Sequence, residues 1–300
     1  MKYGINYQGS KNAICVDLCS YFPIRQNFYD LFAGGCAVTH RILEEGRFES
    51  VWVGDVNPLP VRLFLDCVEG KVPEPMWYSR EEFDRVKDTD PYAACLFSFG
   101  GDWQTYLYGK DIEALKKAFH DAVVDRNFEP ALALGYDLSP IGRYDTWNER
   151  RLALKRLVSA NRWEELQHLE RLVHLERIAQ LMSIKPSAGR VQPLFGDKAG
   201  ISYDKAVIRP DSVIYCDIPY KGTKGYKNGL FSHDRFYDWC RVQTEPVFIS
   251  EYDMPSDFVC VGEFRRQDHK SAKSSFLVTE RLFIPGHQRD MYEQYRTTLF

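Results

Sequence analysis

The sequence predicts an α/β fold with a mostly parallel sheet that is interrupted by a long insertion. Residues 28–55 contain a strand, a glycine turn, a helix and a second strand, which is the order of a βαβ unit. Strand-like segments resume after Val191, whereas the alternation of strand and helix is lost between Lys71 and about Arg190. We therefore expect one α/β domain built from residues 1–70 and 191–300, with residues 71–190 inserted into it.

Composition is that of an ordinary globular chain. The 300 residues are 44% hydrophobic and 27% charged, and no run of about 18 or more apolar residues occurs. The first residues lack the apolar core of a signal peptide, so we expect a cytoplasmic protein with no membrane association. Since the net charge is -3, any surface that binds nucleic acid must be local.

The eight cysteines are scattered and include no Cys-x-x-Cys pair, the spacing that metal ligands commonly have. We expect reduced thiols rather than disulfides or a zinc site, because a cytoplasmic compartment keeps thiols reduced. Cys216 lies in an apolar strand and is expected to be a buried structural thiol.

The predicted elements alternate at both ends of the chain. The first end has the strand Phe28–Phe32, the helix Ala37–Gly46, the strand Ser50–Asp55 and a helix from Pro60 to Gly70. In the insertion, residues 148–183 have helical periodicity with a break near residues 159–161. Further strands are predicted at residues 212–216, 246–250, 258–261 and 276–284.

The glycine turn after the first strand is a candidate cofactor site. Gly34 and Gly35 allow a ligand to approach the backbone, and Asp55, at the end of the next strand, is placed to bind ribose hydroxyls. Asp55 follows Gly34 by 21 residues, close to the ~20 of nucleoside-binding units. Because a full Gly-x-Gly-x-x-Gly and a P-loop lysine are missing, S-adenosylmethionine suits the turn better than a dinucleotide. The alternative is a plain turn with an aspartate helix cap.

The strand Val213–Cys216 leads into Asp217, Ile218, Pro219 and Tyr220, a second candidate site. The Asp217 carboxylate is suited to accept a hydrogen bond from an amino group, Pro219 stiffens the backbone, and Tyr220 offers a ring on which a base can stack. These groups suit chemistry on an exocyclic amine.

A third segment, Tyr7–Lys11, places a lysine just after a glycine-containing turn. Lys11 is suited to pair with a carboxylate such as that of the cofactor's methionine moiety, with Tyr7 covering it. The alternative is a solvated lysine.

Five motifs along the chain resemble those of the Dam-like N6-adenine DNA methyltransferases, and they occur in the family's order. They are Tyr7–Lys11, Asp30–Gly35, Asp55–Pro58, Phe195–Asp197 and Asp217–Tyr220. The chain departs from the family pattern twice, with Cys36 at a glycine of the cofactor loop and Ile218 at the first proline of Asp-Pro-Pro-Tyr.

The resemblance implies a Rossmann-like class I methyltransferase whose mostly parallel seven-stranded sheet is flanked by helices. It implies that residues 71–190 form a mainly helical target-recognition region that binds double-stranded DNA. It further implies methyl transfer from S-adenosylmethionine to N6 of a flipped-out adenine, with no metal and no obligate protein partner. The implied cofactor-binding residues are Tyr7, Lys11, Phe32, Gly34, Gly35, Asp55 and Asp197, and the implied catalytic residues are Asp217, Pro219 and Tyr220.

Candidate DNA-contacting residues lie in the insertion. Residues 141–190 contain ten Lys and Arg against six acidic residues, which suits either a phosphate-facing surface or a solvated helix face. The aromatic segment Phe97–Tyr108, with its Phe-Gly-Gly turn, is expected either to contact a DNA groove or to pack in the core. The basic, glycine-rich residues 221–227 are expected to close over the target strand.

Other targets stay open at this level, namely cytosine N4, RNA adenine and a protein amide. A methyltransferase-fold DNA-binding protein with weak or no activity is the alternative from another class. The sequence leaves open the recognition site, the oligomeric state and the biological role in restriction-modification, phage evasion or regulation.

Overall fold

A computed structural model describes residues 2–161, 163–166, 168–185, 189–194, 202–221, 231–271 and 274–298. The chain divides into two compact units. The first unit comprises Met1–Gly4, Gly9–Leu65 and Ser187–Phe300, and the second comprises Ile5–Gln8 and Asp66–Pro186. The expected insertion at residues 71–190 therefore has a counterpart in a compact unit that also takes in a short N-terminal segment.

The first unit is built on a seven-stranded, mostly parallel sheet, so the predicted α/β class is confirmed. The strands are β1 (Asn27–Asp30), β2 (Ser50–Val53), β3 (Val191–Pro193), β4 (Ser212–Asp217), β5 (Val247–Glu251), β6 (Phe258–Ser271) and β7 (Ser274–Pro285). Their order in the sheet is β3-β2-β1-β4-β5-β7-β6. Strand β7 runs antiparallel to both of its neighbours, and the other pairs are parallel.

The order of the strands reverses between β1 and β4, because the chain progresses outward from β1 to β3 on one side and from β4 to β5 on the other. All four residues of β1 are buried, as expected for a central strand covered on both faces. In open α/β sheets, ligands bind at the carboxyl ends of the strands where the order reverses. Asp30 and Asp217, the last residues of β1 and β4, lie at this edge.

The helices occupy both units. They are α1 (Cys15–Cys19), α2 (Ala37–Glu45), α3 (Pro58–Val68), α4 (Arg80–Val86), α5 (Pro91–Phe97), α6 (Glu113–Val124), α7 (Glu129–Ala133), α8 (Trp147–Ala160), α9 (Val173–Met182), α10 (His233–Arg241) and α11 (Arg289–Thr298). Helix α2 ends at Gly46, whose φ of 70° is the left-handed conformation that glycine adopts without strain. Helix α8 ends at Ala160, where the periodicity predicts the break. Along the described residues, no helix combines the length and apolar character needed to cross a membrane.

An apolar cluster on one face of the sheet supports the carboxyl ends of the central strands. Most of its members come from β1, β4, β5 and α10, and they include Ile214, Cys216, Phe236 and Ile249. Ile218 also belongs to this cluster and is 2% exposed. The isoleucine at this position therefore has a packing role.

In the second unit, three buried cations bind main-chain carbonyl groups. Arg177 donates to the carbonyls of Cys95, Leu96 and Ser98 at the end of α5. Lys116 donates to two carbonyls between α8 and α9, and Arg150 donates to four carbonyls that include those of Val123 and Val124. Several of these carbonyls, among them those of Leu96 and Val123, lie at helix ends, where they have no partner within the helix, so the cations satisfy them.

These buried contacts bear on the prediction that the basic residues in 141–190 form a phosphate-facing surface. Arg150 and Arg177 are buried, and Arg171 pairs with Glu176 at 2.7 Å. Lys155 and Arg156, on α8, are exposed. The local excess of Lys and Arg is therefore not one continuous surface, because part of it stabilises the interior of the unit.

The aromatic segment Phe97–Tyr108 of the second unit likewise contains both buried and exposed side chains. Phe97, Trp103, Tyr106 and Tyr108 are all buried, and core packing is their role. Phe99 is 64% exposed at the tip of the turn. The turn is closed by hydrogen bonds from Phe99 N to Thr105 O at 2.6 Å, and from Leu107 N to Phe97 O at 2.7 Å.

Candidate active site

The glycine turn after β1 and Asp55 after β2 meet in the structure. The Asp55 carboxylate accepts a hydrogen bond from Gly34 N at 2.9 Å and one from Asn57 N at 2.8 Å. Asn57, not Asp55, caps α3, since its side chain accepts from Leu59 N at 3.2 Å. Asp55 therefore holds the turn in place, and Asn57 has the capping role that was the alternative for Asp55.

The departure at position 36 has a conformational consequence. Cys36 has a φ of 57° and precedes α2, so it adopts the left-handed conformation that favours glycine. A non-glycine residue held there costs about 1–2 kcal/mol. The Cys36 side chain is fully buried, with Sγ at 3.8 Å from the Gly34 carbonyl oxygen.

Gly4 belongs to the site although sequence reasoning missed it. A Cβ on Gly4 would lie 2.2 Å from the carbonyl oxygen of Gly35 and 2.7 Å from Ala37 N. The Gly4 N–H also donates to His40 Nδ1 on α2 at 3.0 Å. Its φ of 67° lies in the left-handed region, and this conformation is visible only in the structure. Gly4 thus lets the N-terminal segment lie against the glycine turn.

Lys11 and the Asp217 segment are in contact. The Lys11 ammonium lies 2.6 Å from an Asp217 carboxylate oxygen, 3.8 Å from Glu280 and 4.9 Å from the centre of the Tyr220 ring. The Lys11 side chain is only 7% exposed, so the alternative of a solvated lysine is wrong. Lys11 is expected from the sequence to meet a carboxylate of a ligand, and here it meets the carboxylate of Asp217.

Five carboxylates that interact with Lys11 or with Asp217 lie at this edge of the sheet, and we call them the acid cluster. They are Asp30, Asp55, Asp217, Glu251 and Glu280. Desolvation by burial raises the pKa of Asp30 to about 7 and that of Glu251 to about 7. Burial likewise raises the pKa of Asp55 to about 6, and that of Asp217 to about 6 despite the neighbouring Lys11. Mutual repulsion with Asp217 adds to the effect at Asp30, Asp55 and Glu251.

Glu251 and Glu280 were missed by sequence reasoning. Glu251 ends the apolar strand β5, a signal of the same kind as Asp217 at the end of β4. Glu280 lies in β7, next to Arg281, which pairs with Glu251. It is part of a long polar hairpin, so the sequence pattern does not single out this residue. Both side chains are 1% exposed.

The remaining predicted residues are placed as follows. Phe32 packs against the rings of Tyr203, Phe231 and Phe236, with centroids at 5.4, 5.8 and 5.7 Å. Tyr7 belongs to the second unit, where its ring meets Trp103 edge-on at 5.7 Å. Gly35 lies in the turn beside Gly34. Asp197 and residues 222–227 lie outside the described residues.

The mostly parallel seven-stranded sheet is consistent with a methyltransferase fold, and the glycine turn and the Asp217 carboxylate lie at one edge of it. The sequence profile of the D12 class N6 adenine-specific DNA methyltransferase family matches residues 7–90. The match contains Lys11, the glycine turn and Asp55, and it confirms the resemblance to Dam-like enzymes. No curated protein matches the chain.

Proposed function

We propose that the protein is a Rossmann-like class I methyltransferase that moves a methyl group from S-adenosylmethionine to N6 of a flipped-out adenine in double-stranded DNA. The observation that carries this proposal is the position of the Asp217 carboxylate. It ends β4 beside the strand reversal, and the glycine turn follows the neighbouring strand β1. A methyl donor at the turn and an amine at Asp217 would share one edge of the sheet.

The strand order supports the class I assignment. Strands β3, β2, β1, β4 and β5 follow the order 3-2-1-4-5 of nucleotide-binding doubly wound sheets. The antiparallel pair β7 and β6 completes the sheet.

The charges of the site suit S-adenosylmethionine. When bound, S-adenosylmethionine supplies a methyl group on a positively charged sulfur. The acid cluster attracts a cation and repels a pyrophosphate, which agrees with the missing phosphate-binding motif. In this proposal Gly34, Gly35 and Asp55 hold the nucleoside part, and Lys11 pairs with the amino-acid carboxylate. We retain Tyr7, Phe32 and Asp197 as proposed cofactor contacts.

The chemistry at the base needs a more nucleophilic nitrogen, because the adenine amino group is conjugated with the ring. Asp217 accepts a hydrogen bond from one N–H of the amino group, and a carbonyl of the following segment accepts one from the other N–H; the proton that the nitrogen loses on methylation is released to water. The Pro219 carbonyl already accepts from His233 Nε2 at 2.9 Å, so we assign this role to the Ile218 carbonyl. Tyr220 stacks on the flipped base. Pro219 fixes the backbone between these groups.

A transfer assay with nucleoside analysis tests the proposal. The protein is incubated with labelled S-adenosylmethionine and mixed-sequence duplex DNA, and the DNA is digested to nucleosides. The expected product is labelled N6-methyladenine. Label in N4-methylcytosine, or transfer only to RNA or to a protein amide, would replace the proposed target. Cofactor binding without transfer to any of these substrates would identify an inactive binding protein.

The acid cluster predicts a pH dependence of cofactor binding. The raised pKa values of Asp55 and Asp217, both about 6, mean that these groups gain their charge as the pH rises through 6. A cationic ligand favours the charged form, so its dissociation constant should fall several-fold to about tenfold between pH 5.5 and 7.5. Calorimetric titrations across this range measure it. S-adenosylhomocysteine, which lacks the sulfonium charge, is the control and should show a weaker dependence. Equal slopes for the two ligands would contradict this electrostatic account.

The exposure of Phe99 predicts a role in DNA binding. Stacking of a base on an aromatic ring contributes about 1–3 kcal/mol by alanine substitution, so Phe99→Ala should weaken DNA binding about fivefold to a hundredfold. S-adenosylmethionine affinity should not change. Leu134→Ala, another exposed apolar side chain of the second unit, is the matched control and should leave both affinities unchanged. Fluorescence anisotropy with labelled duplexes measures the effect. Equal losses in the two variants would rule out a specific contact.

A further inference from the structure

Glu251 is a buried carboxylate at the end of β5 that the proposed chemistry does not use. Strand β5 pairs with β4, and Ser250 is the partner of Asp217, so Glu251 lies one residue beyond Asp217 on the adjacent strand. The side chain is 1% exposed. Burial of a carboxylate is unfavourable unless hydrogen bonds compensate for the lost water, so its partners indicate its role.

Both oxygens of Glu251 bind main-chain N–H groups. One accepts from Lys221 N at 3.1 Å, and the other accepts from Tyr252 N at 2.7 Å. Lys221 directly follows Tyr220. The Glu251 carboxylate thus ties the end of β5 to the chain just after the segment Asp217–Tyr220.

The two residues before Lys221 are also held. The carbonyl of Pro219 accepts from His233 Nε2 at 2.9 Å, which assigns the ring proton to this nitrogen because a carbonyl only accepts. His233 is the first residue of α10, and Ser232 caps that helix by accepting from Arg235 N. The ring of Tyr220 packs edge-on against Tyr252 with centroids 4.6 Å apart. Residues 219, 220 and 221 therefore each have a partner on α10, on β5 or on the residue that follows β5.

We propose that Glu251 and His233 are positioning residues that hold residues 219–221, so that the Asp217 carboxylate and the Ile218 carbonyl point at the same nitrogen. This inference rests on the proposed function and deepens it. In a segment Asp-Pro-Pro-Tyr, the two prolines would fix two φ angles, whereas the segment Asp217–Tyr220 of this chain contains only Pro219. The side-chain contacts from Glu251 and His233 supply the backbone constraint that a proline at position 218 would give and that Ile218 does not. The backbone of Ile218 is biased toward the extended region by the proline that follows it, and its side chain is held in the apolar cluster.

The first test compares Glu251→Gln with Glu245→Gln. A glutamine at 251 keeps one acceptor oxygen but turns an amide N–H₂ toward the second main-chain N–H, so one contact is lost. Glu245 is the matched control because its carboxylate accepts from Ser212 N at 2.9 Å, at the opposite end of β4. A displacement of about 1 Å at a reacting group costs on the order of 100-fold in rate. We expect kcat to fall about 10- to 100-fold in Glu251→Gln and less than twofold in Glu245→Gln. The KM for S-adenosylmethionine should change less than twofold in Glu245→Gln, and in Glu251→Gln, which also removes one charge of the acid cluster, it should change by less than the fall in kcat.

The second measurement does not depend on methyl transfer. Hydrogen exchange of the Lys221 amide, followed by NMR with ¹⁵N-labelled lysine, should be at least about tenfold faster in Glu251→Gln than in the unaltered protein. His233→Ala should lower kcat, and His233→Gln, which keeps a side-chain donor, should restore part of it. Unchanged Lys221 exchange with unchanged kcat in Glu251→Gln would overturn the inference. So would a loss of cofactor affinity as large as the loss of kcat. If the unaltered protein transfers no methyl group, the proposed function fails, and the Lys221 exchange rate still decides whether Glu251 holds the segment.

Discussion

Replacement of Asp217 by alanine is expected to lower the rate of methyl transfer by at least about 10²–10³-fold, because removal of one group that stabilises developing charge has effects of this size. The same change should alter the affinity for S-adenosylmethionine by only a few-fold, because the acid cluster loses one negative charge while Lys11 becomes free for the carboxylate of the ligand. In the structure Lys11 is paired with Asp217 at 2.6 Å, and the alanine variant frees the ammonium for the carboxylate of the ligand. Single-turnover rates and calorimetric titrations measure the two effects separately.

Asp217→Asn is the matched variant for this experiment. Asparagine keeps an acceptor oxygen and the shape of the side chain but removes the charge, so an intermediate rate is expected. Comparable losses of transfer and of cofactor affinity in the alanine variant, at an unchanged melting temperature, would show that Asp217 serves the cofactor and not the amine.

The second large effect concerns Asp55. Asp55→Ala should weaken S-adenosylmethionine binding about tenfold to a hundredfold, whereas kcat at saturating cofactor falls much less. The reason is twofold. The variant loses the proposed acceptor for the ribose hydroxyls, and it leaves Gly34 N without the carboxylate that accepts from it at 2.9 Å. Titration with the ligand, followed by rates at saturation, separates affinity from turnover.

Asn57→Ala is the control for Asp55, because Asn57 is the residue that caps α3. Loss of a cap costs about 1 kcal/mol of stability and should leave cofactor affinity unchanged. If the two variants lowered the melting temperature alike and neither changed the affinity, Asp55 would be only a turn residue.

The contacts that the sequence could predict are those set by local geometry. Gly34 and Asp55 meet because a βαβ unit of ordinary length brings the ends of two adjacent strands together. Asp217 could be placed at a strand end for the same reason, since the apolar run Val213–Cys216 stops abruptly.

The contacts that the sequence could not predict join segments far apart in the chain. Lys11 is more than 200 residues from Asp217, and no spacing rule relates them. The rings of Phe97 and Phe99 have the same chemistry, and only their positions in the turn separate a buried ring from an exposed one. Strand β6 continues to Ser271, ten residues past the predicted end, because main-chain pairing with β7 does not require an apolar face.

The interleaving of the two units has a consequence for the order in which the protein is completed during synthesis. Strands β1 and β2 leave the ribosome early, but β4, the partner of β1 in the centre of the sheet, follows only after the whole second unit. The second unit, including its N-terminal segment Ile5–Gln8, is present by Pro186, before β3 is made. The nascent chain therefore holds the second unit while the sheet that carries Asp55 and Asp217 is still incomplete, and the proposed catalytic edge assembles only after that unit has been made.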